Sequence, residues 1–419
     1  MKIKAKNLPM SKVNEKRKGD RVKPKKPNLF FRTLLKILSS FDVKSTSLCV
    51  EKEGMERLGK KTPCLILMNH TSFIDLKIAQ TIFYPRPLNI VTTYDGFVGL
   101  RWLMRQIGCF STRKFVPDMK VIKDAKYCIE KLKTSVLMFP EAGYSLDGTA
   151  TTMPDSLAKF IKFLSVPVVT VISSGAYLRQ PLFNNLKKRN VNVSAKVKFL
   201  LDENDVKNMS VEDIRNKVNE QFSFDAYKEQ QEKGIIINEK DRAEGLDRLL
   251  YKCPRCLSEN GMHSSGDTLE CVDCGKSYRL TQNGFMEATD GNTEIAHVPD
   301  WYEWERQCVL QEIKDGTYSF EDEVDIYAIV DTKTLYKTES GRLVHNLDGF
   351  TLYSQDGNVL HHQSAKYTYS VNVDYFWYEI GDVVYVGDTE ITYCCKPNGK
   401  RNAVTKLRLA TEEMYKLDN

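Results

Sequence analysis

Hydrophobic positions change their period several times along the chain, and each change marks an element. Over residues 29–41, apolar side chains recur at 30, 31, 34, 35, 38 and 41, with Arg32, Thr33, Lys36, Ser39 and Ser40 between them. That spacing predicts an amphipathic helix over 29–45. From 46 to 225, short apolar runs alternate with helical stripes. Runs at 64–68, 88–92, 135–139, 166–172 and 197–201 predict buried strands, while Val121, Ile122, Ala125, Cys128, Ile129 and Leu132 share one helix face. Ser210-Val211-Glu212-Asp213 opens a further helix with a capping-box-like start. The alternation predicts an α/β domain whose central sheet is covered by helices.

The pattern changes again after a charged linker over 226–248. A small segment with paired cysteines follows (249–285), and from 286 to 419 Val, Ile, Tyr and Thr dominate. Ser340-Gly341, Asp348-Gly349, Asp356-Gly357 and Asn398-Gly399 are turn signals between strand-like runs, and 403–415 reads as a closing helix. In pattern, this β-rich domain resembles a pleckstrin-homology-like barrel. Trp301-Tyr302-Glu303-Trp304 is expected to start a helix between domains, and the aromatic run 375–378 to be sheet core.

Charge sharpens the picture at one end. Residues 1–26 hold eleven Lys or Arg against Glu15 and Asp20, so the chain's +6 less that +9 leaves −3 for the rest. Residues 1–28 are therefore expected to be a basic, disordered tail. A cationic tail followed by an amphipathic helix suits an anionic membrane surface; the alternative is a helix packed on the catalytic domain. A spanning helix needs roughly 18–20 uninterrupted apolar residues, and the uncharged stretch 165–178 is broken by Pro167, Ser173, Ser174 and Gly175. With no signal-peptide pattern at the N-terminus, the expected location is cytoplasmic, peripheral on the inner face of the membrane.

The candidate chemistry begins at Asn69-His70-Thr71-Ser72-Phe73-Ile74-Asp75, directly after an apolar strand. On one helix His70 and Asp75 would face different ways. They meet if His70 lies in the loop and Asp75 reaches back from the first helical turn, giving a general base with a carboxylate to orient it. Gly108-Cys109-Phe110-Ser111-Thr112-Arg113-Lys114, Phe139-Pro140-Glu141-Ala142-Gly143-Tyr144 and Val166-Pro167 follow. In order and spacing these blocks resemble the glycerolipid acyltransferase family, which includes the 1-acylglycerol-3-phosphate acyltransferases. The resemblance covers some 180 residues.

The resemblance implies that His70 deprotonates an acceptor hydroxyl, with Asp75 stabilising the imidazolium. The hydroxyl would attack acyl-CoA or acyl-carrier protein, and the acceptor would be a lysophospholipid, foremost 1-acylglycerol-3-phosphate. Gly108 belongs to the second motif. Arg113, with Lys114 beside it, would clamp the acceptor phosphate, unless Arg113 is a surface ion pair. Glu141 would bind the glycerol portion or order the pocket. Where the family's third motif continues Gly-Thr-Arg, this chain has Ala142-Gly143-Tyr144. One cation is thus missing, and another hydroxyl lipid could be the acceptor. A non-catalytic membrane adaptor is the contrasting reading.

Cys253-Pro254-Arg255-Cys256 and Cys271-Val272-Asp273-Cys274 are separated by fourteen residues. Two such knuckles predict a zinc ribbon, its closed Cys₄ site structural and without a position for substrate. Residues 257–270 contain acids and no Lys or Arg, so no nucleic-acid partner is expected.

Overall fold

The computed structural model describes residues 3–17, 22–399 and 402–418. In the first domain, helix α1 (Leu29–Lys44) is followed by strands β1 (Cys49–Glu53) and β2 (Leu65–Met68), helix α2 (Asp75–Phe83) and strands β3 (Leu88–Thr93) and β4 (Cys109–Thr112). Helix α3 (Met119–Glu130), β5 (Ser135–Met138), α4 (Leu157–Leu164), β6 (Val168–Ser174) and β7 (Ser194–Leu201) come next, and helices over Glu203–Asn208 and Val211–Gln221 follow. The sheet runs β1-β7-β6-β2-β5-β3-β4. From β6 to β4 the strands are mutually parallel, and β7 turns antiparallel against β6.

Both faces of this sheet are covered, which is why its central strand β2 is apolar at every position. Alternate residues of β2 serve opposite layers. Ile66 and Met68 pack with Ile78, Ala79 and Phe83 of α2, whereas Leu65 and Leu67 join Ala125 and Cys128 of α3 and Ile161 of α4. The expected strands and helices of this domain are present.

Four short antiparallel strands between Met262 and Ala288 form the Cys-pair unit. Helix α5 (Val298–Lys314) links it to β8 (Phe320–Ile329), β9 (Tyr336–Asn346), β10 (Gly349–Ser354), β11 (Val359–Ser364), β12 (Val373–Trp377), β13 (Gly381–Gly387), β14 (Thr392–Pro397) and α6 (Ala403–Asp418). The strand order is β11-β10-β9-β8-β14-β13-β12. Two antiparallel meanders are thus joined where β8 pairs with β14, and α6 closes them. Arg306 of α5 ties the helices together through Glu412 (2.7 Å) and Glu413 (2.9 Å).

Two expectations change. The tail is not free where it is described: Lys6–Asn7 pairs in parallel with Tyr336–Lys337 of β9, and Met10 and Val13 are buried. This apolar pair, three residues apart on a short helix, gives the segment a hydrophobic anchor despite its charge. Residues 1–2 and 18–21 of the tail lie outside the described residues. The linker is also packed, with Ile237, Ala243 and Leu246 in the core beside the Cys-pair unit.

Candidate active site

A parallel sheet gathers the loops that follow its strands at one edge. Here β2 delivers His70, its neighbour β5 delivers Phe139 to Tyr144, and β4 delivers Arg113 and Lys114. Asp75 opens α2 and reaches back as expected. Its Oδ2 accepts from the backbone N–H groups of Thr71 (2.8 Å) and Ser72 (2.9 Å) and lies 3.2 Å from His70 Nδ1. The local chain folds into this loop because one carboxylate satisfies donors that helix formation leaves open. Those N–H groups are consequently unavailable to an oxyanion.

The supporting groups include residues that the motif did not disclose. Ser173 donates from Oγ to Asp75 Oδ1 (3.3 Å), and Asn69 exchanges hydrogen bonds with the Ser173 backbone. The His70 ring lies between Phe139 and Tyr144, with centroids 4.0 and 3.9 Å away. Burial pushes the His70 pKa below its ordinary value; Asp75 opposes this and Lys114 reinforces it. The imidazole is therefore neutral near pH 7. With Nδ1 protonated toward Asp75, Nε2 is left as the basic atom.

Of the remaining expected residues, Lys114 lies at the site. It borders the cavity beside His70 and donates to Asn372 Oδ1 at 3.2 Å. Glu141 faces the backbone of the site. It is 1% exposed, and its oxygens accept from the N–H groups of His70 (2.7 Å) and Thr151 (3.1 Å). Burial raises its pKa to about 7 against those hydrogen bonds.

Arg113 is neither a surface ion pair nor free to clamp a phosphate in this structure. Its guanidinium donates to the carbonyls of Ile329 (3.0 Å), Thr389 (3.3 Å) and Glu390 (2.8 Å) and to Thr392 Oγ1 (2.6 Å). It also stacks on Tyr94. A fork of donors suited to phosphate is equally suited to a turn of carbonyl oxygens, and here it fastens the C-terminal domain to the first. Gly108 does not touch the site either, because it precedes β4 and so sits at the opposite sheet edge. Its φ is +96°, and a Cβ there would lie 2.6 Å from the Leu88 carbonyl, so the position demands glycine for backbone reasons.

The site opens into a cavity of about 1430 Å³, bordered by His70, Lys114, Tyr144, Met119, Phe160, Phe163 and aromatic residues of β12. Such a space exceeds the roughly 300–1,000 Å³ of ordinary small-molecule pockets and suits a long apolar ligand.

A neutral, carboxylate-oriented histidine at the carboxyl edge of an α/β sheet, opening into a large cavity, has the parts of a general base. Residues 49–174 match the family model described as Acyltransferase, so the chain carries an acyltransferase-family domain there. The chain is also similar to the 1-acyl-sn-glycerophosphate (LPA) acyltransferase PlsC from Thermotoga maritima. That match has a TM-score of 0.35 and 21% identity, over 46% of this chain and 76% of that one. Comparison with curated proteins finds no match. The matched span takes in every expected catalytic and substrate-binding residue, and the Cys-pair and β-rich domains lie outside it.

Proposed function

We propose that the protein transfers a fatty acyl group from acyl-CoA or acyl-carrier protein to the hydroxyl of a lysophospholipid-type lipid. The observation that carries this reading is the His70–Asp75 pair, set in an aromatic sandwich at the cavity. His70 Nε2 takes the hydroxyl proton as that oxygen attacks the thioester carbonyl. The new C–O ester bond forms, the C–S bond breaks, and the imidazolium returns the proton to the departing thiolate. Asp75 holds the ring in place throughout. For 1-acylglycerol-3-phosphate as acceptor, Lys114 would answer the phosphate, Arg113 being engaged elsewhere. The test is free-thiol release from palmitoyl-CoA with and without lysolipid. Acceptor-dependent release supports the reading, and no release with any lysolipid and either donor would favour the adaptor.

The membrane part of the reading rests on α1. Phe31 and Leu35 pack inward, yet Phe30 and Phe41 on the other side are 67% and 72% exposed, and Trp102 nearby is 63% exposed. Among the described residues no helix is long and apolar enough to cross a membrane. We read this face, flanked by Arg32, Lys36 and Arg101, as lying in the interface of an anionic leaflet. The double variant Phe30→Glu/Phe41→Glu is expected to bind phosphatidylglycerol vesicles at least about tenfold more weakly in co-sedimentation, since it removes apolar burial and adds repulsion. Unchanged binding would remove α1 from the membrane contact.

Cys253, Cys256, Cys271 and Cys274 bring their sulfurs within 4.8 Å of one another, with pairs at 3.8 and 3.6 Å. A tetrahedron with Zn–S bonds of about 2.3 Å has edges near 3.8 Å, so the set fits zinc. We read it as a structural zinc ribbon, and the two meanders closed by α6 as a pleckstrin-homology-like domain. Mercurial titration of the thiols is expected to release about one zinc per chain and to lower Tm. Metal-free protein of unchanged Tm would refute the zinc assignment.

A further inference from the structure

The acyltransferase-family domain does not enclose its cavity alone. Tyr367, Tyr369, Asp374, Phe376 and Tyr378 of the C-terminal domain border the same space as His70, Lys114 and Tyr144. We infer that the C-terminal domain selects the acceptor, with Asp374 and Lys114 together reading the zwitterionic headgroup of a lysophospholipid. Asp374 would take the ammonium and Lys114 the phosphodiester. The inference rests on the acyl-transfer reading and names its acceptor class.

The charges at the site argue for it. Tyr144 stands where the family motif carries an arginine and stacks on His70, while Arg113 is committed to carbonyls of the C-terminal domain. Lys114 is left as the cation that acts on His70. Around Tyr144 lie the carboxylates of Asp75, Asp374 and Asp95. Beside His70 a phosphomonoester, with nearly two negative charges, would meet the Lys114 ammonium among several acids, the cavity's Lys77 and Lys188 being paired with Asp42. A headgroup with one charge of each sign meets a partner for both.

Asp374 itself is short of a cation. Among the described residues no ammonium or guanidinium lies within ion-pair distance of it, and Lys114 acts on it from farther away. Burial, with Asp95 and Asp382 adding repulsion, raises its pKa to about 7, a cost that a bound ammonium would relieve. The segment carrying it is also held under strain. Phe376, Tyr378 and Glu379 have φ of 51°, 46° and 64°, unusual for residues other than glycine. Asp382 Oδ1 accepts from Phe376 N–H (2.8 Å), and Tyr378 Oη donates to the Asp95 carbonyl (3.3 Å). Such strain persists where surrounding structure imposes it, as at ligand sites.

The test uses the full chain and palmitoyl-CoA, comparing kcat/KM for lysophosphatidylethanolamine and lysophosphatidic acid in the same mixed micelles. Wild type is expected to favour the zwitterion about tenfold or more, Asp374→Asn to cut that ratio about tenfold, and Asp374→Glu to keep it. A ratio taken on one preparation is insensitive to the fraction folded. Should Asp374→Asn not fold, inhibition of the wild type decides: glycerophosphoethanolamine must compete with acceptor more strongly than glycerol 3-phosphate. Preference for lysophosphatidic acid, or a ratio unmoved by Asp374→Asn, overturns the inference while leaving acyl transfer intact. Absence of transfer to every acceptor, from palmitoyl-CoA and from palmitoyl-carrier protein alike, overturns both.

Discussion

Replacing His70 with Ala is expected to lower kcat for acyl transfer by about 10³–10⁴-fold, the scale of a lost general base. The uncatalysed lipid hydroxyl is a poor nucleophile, and no other described side chain occupies the end of β2 with a carboxylate behind it. KM should change little, because the cavity walls that hold an acyl chain are untouched. The loop should keep its shape, since Glu141 contacts the residue 70 backbone N–H and not its ring, while loss of the ring from between Phe139 and Tyr144 lowers stability modestly. The pH profile gives a second reading of the same assignment. A base must be unprotonated, so activity falls as pH drops through its pKa. Burial has lowered that pKa from 6.5, so the acid limb of kcat/KM should have its midpoint below 6.5. Near-normal turnover in the variant, or an acid limb well above that value, would move the base elsewhere.

How much of this was legible in the sequence depended on distance along the chain. The His70–Asp75 pair was readable because its geometry is local: a strand ends, a helix begins, and the carboxylate must bend back to meet the ring. The four cysteines were readable for the same reason, as paired knuckles. Ser173, which supports Asp75 from 98 positions away, left no local signal. Nor did the use of Arg113, whose partners lie more than two hundred residues downstream. A motif arginine shows what it can bind and not what arrives to be bound. Gly108 is different, because a signal was present. In a parallel sheet, residues before a strand and residues after it lie at opposite edges, so Gly108 and Arg113 could not both border one site. The tail likewise held its cue in Met10 and Val13, outweighed by the charges around them.

Asp75→Asn should reduce kcat by about 10²–10⁴-fold while leaving the fold nearly as stable as wild type. The replacement is nearly isosteric. Its carbonyl oxygen can take the place of Oδ2, where it accepts from Thr71 and Ser72 N–H, and its NH₂ can donate to Ser173 Oγ in place of the hydrogen bond that Oδ1 accepts now. The loop that positions His70 is thereby kept, and only the charge is lost. That charge matters when the imidazolium forms, because the ring is mostly buried and few other groups can stabilise a positive charge there; Lys114 opposes it. If the amide instead turns its NH₂ toward Nδ1, that atom must accept, the proton moves to Nε2, and the base is blocked. Both orientations lower kcat, and neither disturbs the acyl-chain walls, so KM for the thioester should stay within a few-fold. The measurement is steady-state thiol release beside a thermal melt. A large fall in kcat with an unchanged melt assigns Asp75 to the chemistry. A lowered melt with normal kcat per folded molecule would make it a fastener of the loop and nothing more.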